Sequence, residues 1–112
     1  MPFQQWSETV LLAELADDPH FTDDLTGILE QCKENTRLDV LLNFANVTYL
    51  NSSNIAKLLT LRKLVTVTNQ RKLKICGVST QVWGVLLVTG LDHMFDFVDD
   101  VPSGLAGLQM GG

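Results

Sequence analysis

Two adjacent serines mark the place in this sequence where residue types and spacing most suggest chemistry. The stretch YLNSSN, residues 49–54, joins an apolar run typical of a strand to one typical of a helix. Serine and asparagine oxygens accept hydrogen bonds from the unpaired amides of a helix N-terminus, so one interpretation is a simple helix cap. The other is a phosphorylation switch, because a phosphoserine here would meet those amides and the positive end of the helix dipole. The local pattern leaves both interpretations open.

Other residues that could carry chemistry are few. His20 and His93 are the only histidines, and they lie far apart in the sequence. Four aspartates follow one another at 92, 96, 99 and 100, but a strand and a loop would spread their carboxylates, which predicts a solvated acidic edge and no metal site. A Ser-His-Asp triad could include Ser52 and His93, yet neither serine lies in a G-x-S-x-G turn. Phosphate-binding glycine motifs are also absent, so we predict no catalytic residue, no metal and no cofactor.

Composition limits the class of partner. The 112 residues suit one domain, and a net charge of −5 argues against binding to nucleic acids or anionic membranes. Cys32 and Cys76 form no metal or redox motif and are predicted to be buried, reduced thiols. The start of the chain has no signal-peptide pattern, and the longest apolar region is about half the ~20 residues of a membrane span. We therefore predict a protein of the cytoplasm without a membrane span.

The elements that must position the serines follow from apolar periodicity. Strands are predicted at 9–15, 38–44, 72–78 and 94–100, with only one of them before the first helix. Helices are predicted from a Thr22 cap to Glu34, from Ser53 to Gln70, and from a Ser79 or Thr80 cap to Thr89, with a helical stub at 101–108. This alternation predicts an α/β domain with parallel neighbouring strands. The third helix is apolar on most sides, so it is either sandwiched or partly exposed to a partner.

Two stretches of the sequence resemble the STAS domain, the family of sulfate-transporter domains and anti-sigma-factor antagonists. VLLNFANVTYLNSSNIAKLL has the family's order of a strand, an apolar turn, Asp-Ser-(Ser/Thr)-Gly and an apolar helix. VSTQVWGVLLVTGLDHMFDFVDD resembles the later helix, Thr-Gly-Leu and closing strand. The resemblance covers about Thr9 to Leu108. It implies a single STAS-like domain over residues 1–112, with a small mixed sheet, a core of about 9–108, and peripheral segments at 1–8 and 109–112.

The resemblance also implies a function, that of a partner-binding regulator and not an enzyme. Antagonists of this family bind a serine-kinase anti-sigma factor, are phosphorylated on the first serine of the motif, and are reset by a phosphatase. The phosphoacceptor would be Ser52, in a loop at the N-terminus of the second helix. The implied docking surface comprises Tyr49, Asn51, Ser52, Ser53, Asn54 and Lys57. A homo-oligomer is compatible with this interpretation.

Two positions of the motif depart from the family pattern. Asn51 replaces the aspartate beside the acceptor and removes a charge, while Asn54 replaces a glycine and adds a side chain. These departures favour an alternative function, a STAS scaffold or transporter-associated subunit that is never phosphorylated. In that alternative, the apolar third helix, with Trp83 and Leu87, would supply a permanent interface.

Overall fold

A five-stranded sheet forms the centre of the domain in the computed structural model, which describes residues 3–110. The strands are β1 (Phe3–Ser7), β2 (Val10–Ala16), β3 (Asp39–Asn46), β4 (Leu73–Cys76) and β5 (Asp96–Val98). The helices are α1 (His20–Glu34), α2 (Ser52–Arg62), α3 (Thr80–Thr89) and α4 (Val101–Met110). A π-helical segment, Lys63–Thr68, continues α2, and a 3-10 turn, Leu91–His93, follows α3.

The strands lie side by side in the order of the sequence. β1 pairs with β2 in antiparallel orientation, whereas β2, β3, β4 and β5 are mutually parallel. The sheet is therefore mixed, and the prediction of an α/β domain with parallel neighbours is confirmed. All parallel strands end at one edge of the sheet, which we call the carboxyl edge, and the loops that follow them meet there.

Strand alternation divides the buried side chains between the two faces of the sheet. On one face, Leu42 and Phe44 of β3 belong to a large core that also contains buried residues of α1, α2 and α3. On the other face, Leu41 packs in a smaller core with Leu108 of α4. Gly104 allows this helix to lie close to the sheet, because a Cβ atom there would be 2.7 Å from a methyl carbon of Leu41. The central strand is consequently buried on both sides.

Three expectations from the sequence are wrong in detail. A strand at Phe3–Ser7 precedes β2, so two strands and not one lie before the first helix. The first helix begins at His20, and Thr22 lies inside its first turn instead of capping it. The regular part of α2 ends at Arg62, and the remainder of the predicted helix is the π-helical segment, which ends at Thr68. The limits of the domain within the chain stay a prediction.

The two capping predictions for α3 are confirmed, as is the burial of the cysteines. The Ser79 side chain caps α3 by accepting a hydrogen bond from the Val82 amide, at 3.2 Å. Gly90 ends the same helix in the left-handed conformation, with φ of 76°. Cys32 and Cys76 are buried free thiols, and burial raises the pKa of Cys32 to about 11. Within residues 3–110, no helix is long and apolar enough to cross a lipid bilayer.

Candidate functional site

The serine stretch lies at the carboxyl edge, in the loop between β3 and α2. Asn51 is the N-cap residue of α2, and Ser52 and Ser53 occupy its first two helical positions. The loop between β2 and α1, which contains Asp17 and Asp18, follows the neighbouring parallel strand and lies at the same edge. We call residues 49–54 the serine turn. Its geometry depends on contacts with these two aspartates.

The two asparagines form a reciprocal cap at the start of α2. The side-chain oxygen of Asn51 accepts a hydrogen bond from the Asn54 amide at 2.8 Å. In return, the side-chain oxygen of Asn54 accepts one from the Asn51 amide at 3.1 Å. Two amide donors at the helix terminus are satisfied in this way, as in a capping box. The residues that depart from the family pattern therefore build the turn, and the serines do not supply the cap.

Asp18 holds this cap in place from the neighbouring loop. One of its carboxylate oxygens accepts hydrogen bonds from the side-chain amides of Asn51 and Asn54, at 3.0 and 2.9 Å. The other oxygen accepts from the backbone amide and the hydroxyl of Thr22, at 3.0 and 2.7 Å. Because Asn54 is only 1% exposed, its side-chain amide has little access to water and depends mainly on this carboxylate, with a longer bond of 3.4 Å to the Thr22 hydroxyl. We call Asp18, Asn51 and Asn54 the carboxylate–amide clamp.

A second contact joins the same two loops. The Asp17 carboxylate accepts hydrogen bonds from the backbone amide of Thr48 at 2.8 Å and from its hydroxyl at 2.6 Å. Thr48 immediately precedes the serine turn, so the loop after β3 is held at both ends by consecutive aspartates. The surroundings of these two aspartates also shift their pKa values.

Hydrogen bonding lowers the pKa of both aspartates. The Thr48 hydroxyl and amide lower the pKa of Asp17 below its usual 3.8. The pKa of Asp18 falls to about 2, chiefly because the Thr22 hydroxyl and then the Asn54 amide donate to its charged form. Asp18 is therefore ionised at neutral pH. The serine turn thus lies beside two negative charges.

Both serines face outward from this clamp. The side chains of Ser52 and Ser53 are exposed, and their backbone amides, at the first two helical positions, have no intrahelical acceptor. Ser52 begins a stripe that continues at Ile55, Leu59 and Arg62, at the spacing of one helix face. Arg62 Nε donates to the Met94 carbonyl, so this stripe faces the segment that follows α3.

The structure brings most of the predicted docking residues together. Tyr49, Asn51, Ser52 and Ser53 are exposed in one turn, with Tyr49 46% exposed. Asn54 belongs to this turn by position, but it is buried and cannot present its side chain to a partner. Lys57 lies on the α1 side of the helix, where its ammonium group donates to the Thr26 hydroxyl at 3.0 Å. The docking role of these residues stays a prediction.

Sequence reasoning did not identify the two aspartates as part of the site. Their partners in the loop after β3 and at the start of α2 lie 31 to 36 residues further along the chain, so no local pattern shows these contacts. A signal was nevertheless present. Asp17 and Asp18 follow β2, the serine turn follows β3, and loops after adjacent parallel strands lie at the same edge. As for metals, no three Cys, His, Asp or Glu side chains converge on a possible metal position in the described part of the chain.

Replacing Asn51 by the aspartate of the family pattern should raise the pKa of Asp18. Asn51→Asp removes an amide donor from the Asp18 carboxylate and places a second negative charge beside it, and both changes disfavour ionisation. We expect an increase of about one pKa unit, measured from the Asp18 carboxyl 13C shift during an NMR titration. Ser52→Ala is the control and should leave this pKa in place. An unchanged value in Asn51→Asp would contradict the clamp.

Comparisons with known proteins agree with this architecture. A family model, the STAS domain, matches residues 16–104. Among solved structures, TM1081 of Thermotoga maritima, a proposed anti-sigma factor antagonist, has a TM-score of 0.81 at 12% identity, with 96% of this chain and 93% of that chain covered. An anti-sigma-factor antagonist (STAS) domain protein from Planctomyces limnophilus has a TM-score of 0.80 at 18% identity, with coverages of 96% and 97%.

A third relative in structure is the anti-sigma factor antagonist SpoIIAA, solved in two forms. Its unphosphorylated form has a TM-score of 0.78 at 13% identity, with coverages of 98% and 96%. The phosphorylated form of the Bacillus protein has a TM-score of 0.70 at 12% identity, with coverages of 93% and 94%. These identities establish likeness of fold alone, and no curated protein sequence matches the chain. Because the family model spans most of the sequence, the chain belongs to the STAS domain family.

Proposed function

We propose that this protein is a regulator of the anti-sigma-factor-antagonist type, which binds a serine-kinase anti-sigma factor through the serine turn and is switched by phosphorylation of Ser52. The observation that carries this proposal is the position of Ser52. Its exposed side chain lies at the first position of α2, on a turn fixed by the carboxylate–amide clamp. A kinase can reach such a hydroxyl without unfolding the helix, because the cap is made by the flanking asparagines.

The electrostatics support a switch at this position. Phosphorylation would add roughly −1.5 to −2 charges beside Asp17 and Asp18, which are already ionised. The amides of the first helical turn would stabilise the phosphate locally. A partner that docks on the turn would meet a strongly anionic surface, so its affinity should change on phosphorylation. That SpoIIAA, a relative in fold, exists in phosphorylated and unphosphorylated forms is consistent with such a cycle.

The remaining parts of the proposal follow from this role. A phosphatase would restore the unmodified form, and the protein would act in the cytoplasm without catalysing a reaction itself. The net charge of −5 supports a protein partner over a nucleic acid. We place the docking surface at Tyr49, Asn51, Ser52 and Ser53. Asn54 and Lys57 support it, the first through the cap and the second through its bond to α1.

Kinase treatment of serine variants tests the switch. Wild type, Ser52→Ala and Ser53→Ala are incubated with the serine-kinase anti-sigma factor of the source organism and ATP, and phosphate is located by mass spectrometry. We expect one phosphate on wild type and on Ser53→Ala, and none on Ser52→Ala, because Ser52 is the acceptor. Equal incorporation into wild type and Ser52→Ala would eliminate Ser52 as the acceptor. The Ser53→Ala variant serves as the matched control, since it is an exposed serine of the same helical turn.

A second function, a STAS scaffold or transporter-associated subunit without phosphorylation, is favoured by one observation. Asn51 stands where the family motif has an aspartate beside the acceptor. Both asparagines of the motif are hydrogen-bonded within the cap and to Asp18. Protein isolated from its native cells distinguishes the two functions. A stable stoichiometric partner, together with complete absence of phosphate under all growth conditions, supports the scaffold. Phosphate on Ser52 in any condition supports the switch.

A further inference from the structure

A pocket lies at the end of the sheet where the parallel strands begin, at the far end of α2 from the serine turn. Its volume is about 330 Å³, and it is formed by the end of α2, the start of β4 and the segment that leads into β5. Three cationic residues line it, Arg62, Arg71 and Lys72, with one carboxylate, Asp96. We call the pocket with these three cations the basic pocket. Its lining is rich in positive charge although the whole chain has a net charge of −5.

Both arginines of the basic pocket are oriented through their Nε atoms. Arg62 Nε donates to the Met94 carbonyl. Arg71 Nε and Nη2 donate to the two carboxylate oxygens of Asp39, at 3.1 and 2.9 Å. Within residues 3–110, these contacts leave both terminal nitrogens of Arg62, and Nη1 of Arg71, without an acceptor. Two guanidinium groups are therefore held in place while they keep donors for a further acceptor.

The backbone that carries Arg71 is fixed by several contacts. The Arg71 amide donates to the Val65 carbonyl of the π-helical segment at 2.8 Å. The Asn69 side chain ties the same turn to α1, because it donates to the Cys32 carbonyl at 3.0 Å. Between these residues, Gln70 adopts the left-handed conformation with φ of 55°, which is uncommon for a residue other than glycine and persists only where the surrounding structure enforces it. Arg71 therefore lines the basic pocket from a rigid turn.

One wall of the basic pocket is apolar. Leu73 and Phe95 are buried side chains of this wall, and Met94 extends it to the surface. Sites for small molecules combine an apolar lining with a few charged or polar groups, and they begin at about 300 Å³. In size and in lining, the basic pocket therefore suits a small organic molecule that carries an anionic group.

We propose that the basic pocket binds a small phosphorylated organic molecule through its phosphate group. A phosphate monoester carries about −1.5 to −2 charges at neutral pH and has three strong acceptor oxygens. Donors from two separate guanidinium groups match several oxygens at once, whereas a carboxylate offers only one charge and two oxygens. Binding does not require phosphorylation of Ser52, so this site stands independently of the proposed function.

The negative charges near the basic pocket do not cancel this attraction. Asp39 is paired with Arg71 and lines a neighbouring cavity instead. Asp96 is exposed, so its charge is hydrated. Arg62 bonds to a backbone carbonyl and to no carboxylate in the described part of the chain, so its charge is not compensated by direct contact. Carboxylates elsewhere on the surface act weakly, because salt screens charges over about 8 Å at physiological ionic strength.

Titration with phenyl phosphate, followed by 1H–15N NMR, tests the ligand class. We expect saturable shifts of the backbone amides of Arg71, Leu73 and Phe95. At about pH 8, where the monoester is a dianion, it should bind roughly tenfold more tightly than benzoate, which has the same ring and one charge. It should also bind more tightly than inorganic phosphate, which cannot contact the apolar wall. The absence of saturable shifts at these amides, or equally tight binding of benzoate or inorganic phosphate, overturns the proposal.

Variants of neighbouring cations test the site. Arg62→Gln removes two terminal donors and should weaken the binding of phenyl phosphate by about tenfold or more, because charge-assisted hydrogen bonds are lost. Arg62→Lys keeps the charge without the planar donor group and should recover only part of the affinity. Lys63→Gln is the matched control, since it removes the same charge from an exposed residue that does not line the pocket, and it should bind as wild type does. Equal weakening in Arg62→Gln and Lys63→Gln would contradict a specific site.

Discussion

Asp18→Ala is expected to lower the free energy of unfolding by about 3 kcal/mol, the upper end of the cost of leaving a buried hydrogen-bond donor unpaired. The carboxylate accepts four hydrogen bonds, and the 1%-exposed Asn54 donates one of them at 2.9 Å. Without this acceptor, the buried Asn54 side-chain amide keeps only a long contact of 3.4 Å to the Thr22 hydroxyl, and the cap of α2 loses its support. For a domain of this size, thermal unfolding should shift downward by about 10–20 °C, measured by circular dichroism.

Two controls and one pH series make this prediction specific. Asp23→Ala removes an exposed aspartate in the first turn of α1, five residues after Asp18, and should change stability by less than about 0.5 kcal/mol. Because the pKa of Asp18 is about 2 in the folded protein and 3.8 ordinarily, its ionised form stabilises the fold above pH 3.8. That contribution is lost as the pH falls through 2, so wild type and Asp18→Ala should converge in acid. If Asp18→Ala is as mild as Asp23→Ala at pH 7, the clamp does not support the fold.

Arg71→Ala is expected to lower the free energy of unfolding by a similar amount, about 3 kcal/mol. Arg71 lies where the parallel strands begin, at the end of the sheet opposite the carboxyl edge. Asp39, at the start of β3, is 5% exposed. Arg71 reaches it with two parallel hydrogen bonds, Nε to one oxygen at 3.1 Å and Nη2 to the other at 2.9 Å. Removal of the guanidinium leaves a buried carboxylate with the Lys72 backbone amide, at 2.9 Å, as its remaining bonded donor in the described part of the chain. Chemical denaturation with urea measures the loss.

Conservative and matched variants separate the ion pair from general effects of charge. Arg71→Lys keeps the charge but cannot make the bidentate contact, so we expect it to recover only part of the stability. Arg37→Ala removes an exposed arginine and should be nearly neutral. In the Arg71→Ala background, Asp39→Asn should restore stability, because it removes the unpaired buried charge. Failure of that second change to restore any stability would show that the pair is not the cause.

Features of the fold that depend on neighbouring residues could be predicted from the sequence. The end of α1 at Glu34 and the ends of α3 follow from apolar spacing, the Ser79 cap and Gly90, all of which act within one or two helical turns. The position of the serines at the start of α2 is predictable for the same reason. The central strands are also evident, since their apolar runs reflect burial on both faces.

Features of the fold that depend on contacts between distant residues could not be predicted from the sequence. β1 has the sequence FQQWS, which carries no long apolar run because an edge strand is only partly covered. The change from α2 to a π-helical segment is not visible in the sequence, because the apolar pattern continues through it. The clamp was invisible because Asp18 and its amide partners are 33 and 36 residues apart. The sequence shows that each asparagine departs from the family motif, but it does not show that Asp18 is the partner of both side chains.

The carboxylate–amide clamp has a consequence for how this sequence can diverge. Positions 18, 51 and 54 form one hydrogen-bonded unit, so a change at any of them alters the requirement at the other two. A glycine at 54 frees position 51 from the reciprocal cap, and an aspartate at 51 makes the carboxylate at 18 unfavourable. A combined change at all three positions should therefore be tolerated, whereas a change at one of them alone should destabilise the protein. A branch of the family with asparagine on both sides of the serines is expected to keep its aspartate before the first helix.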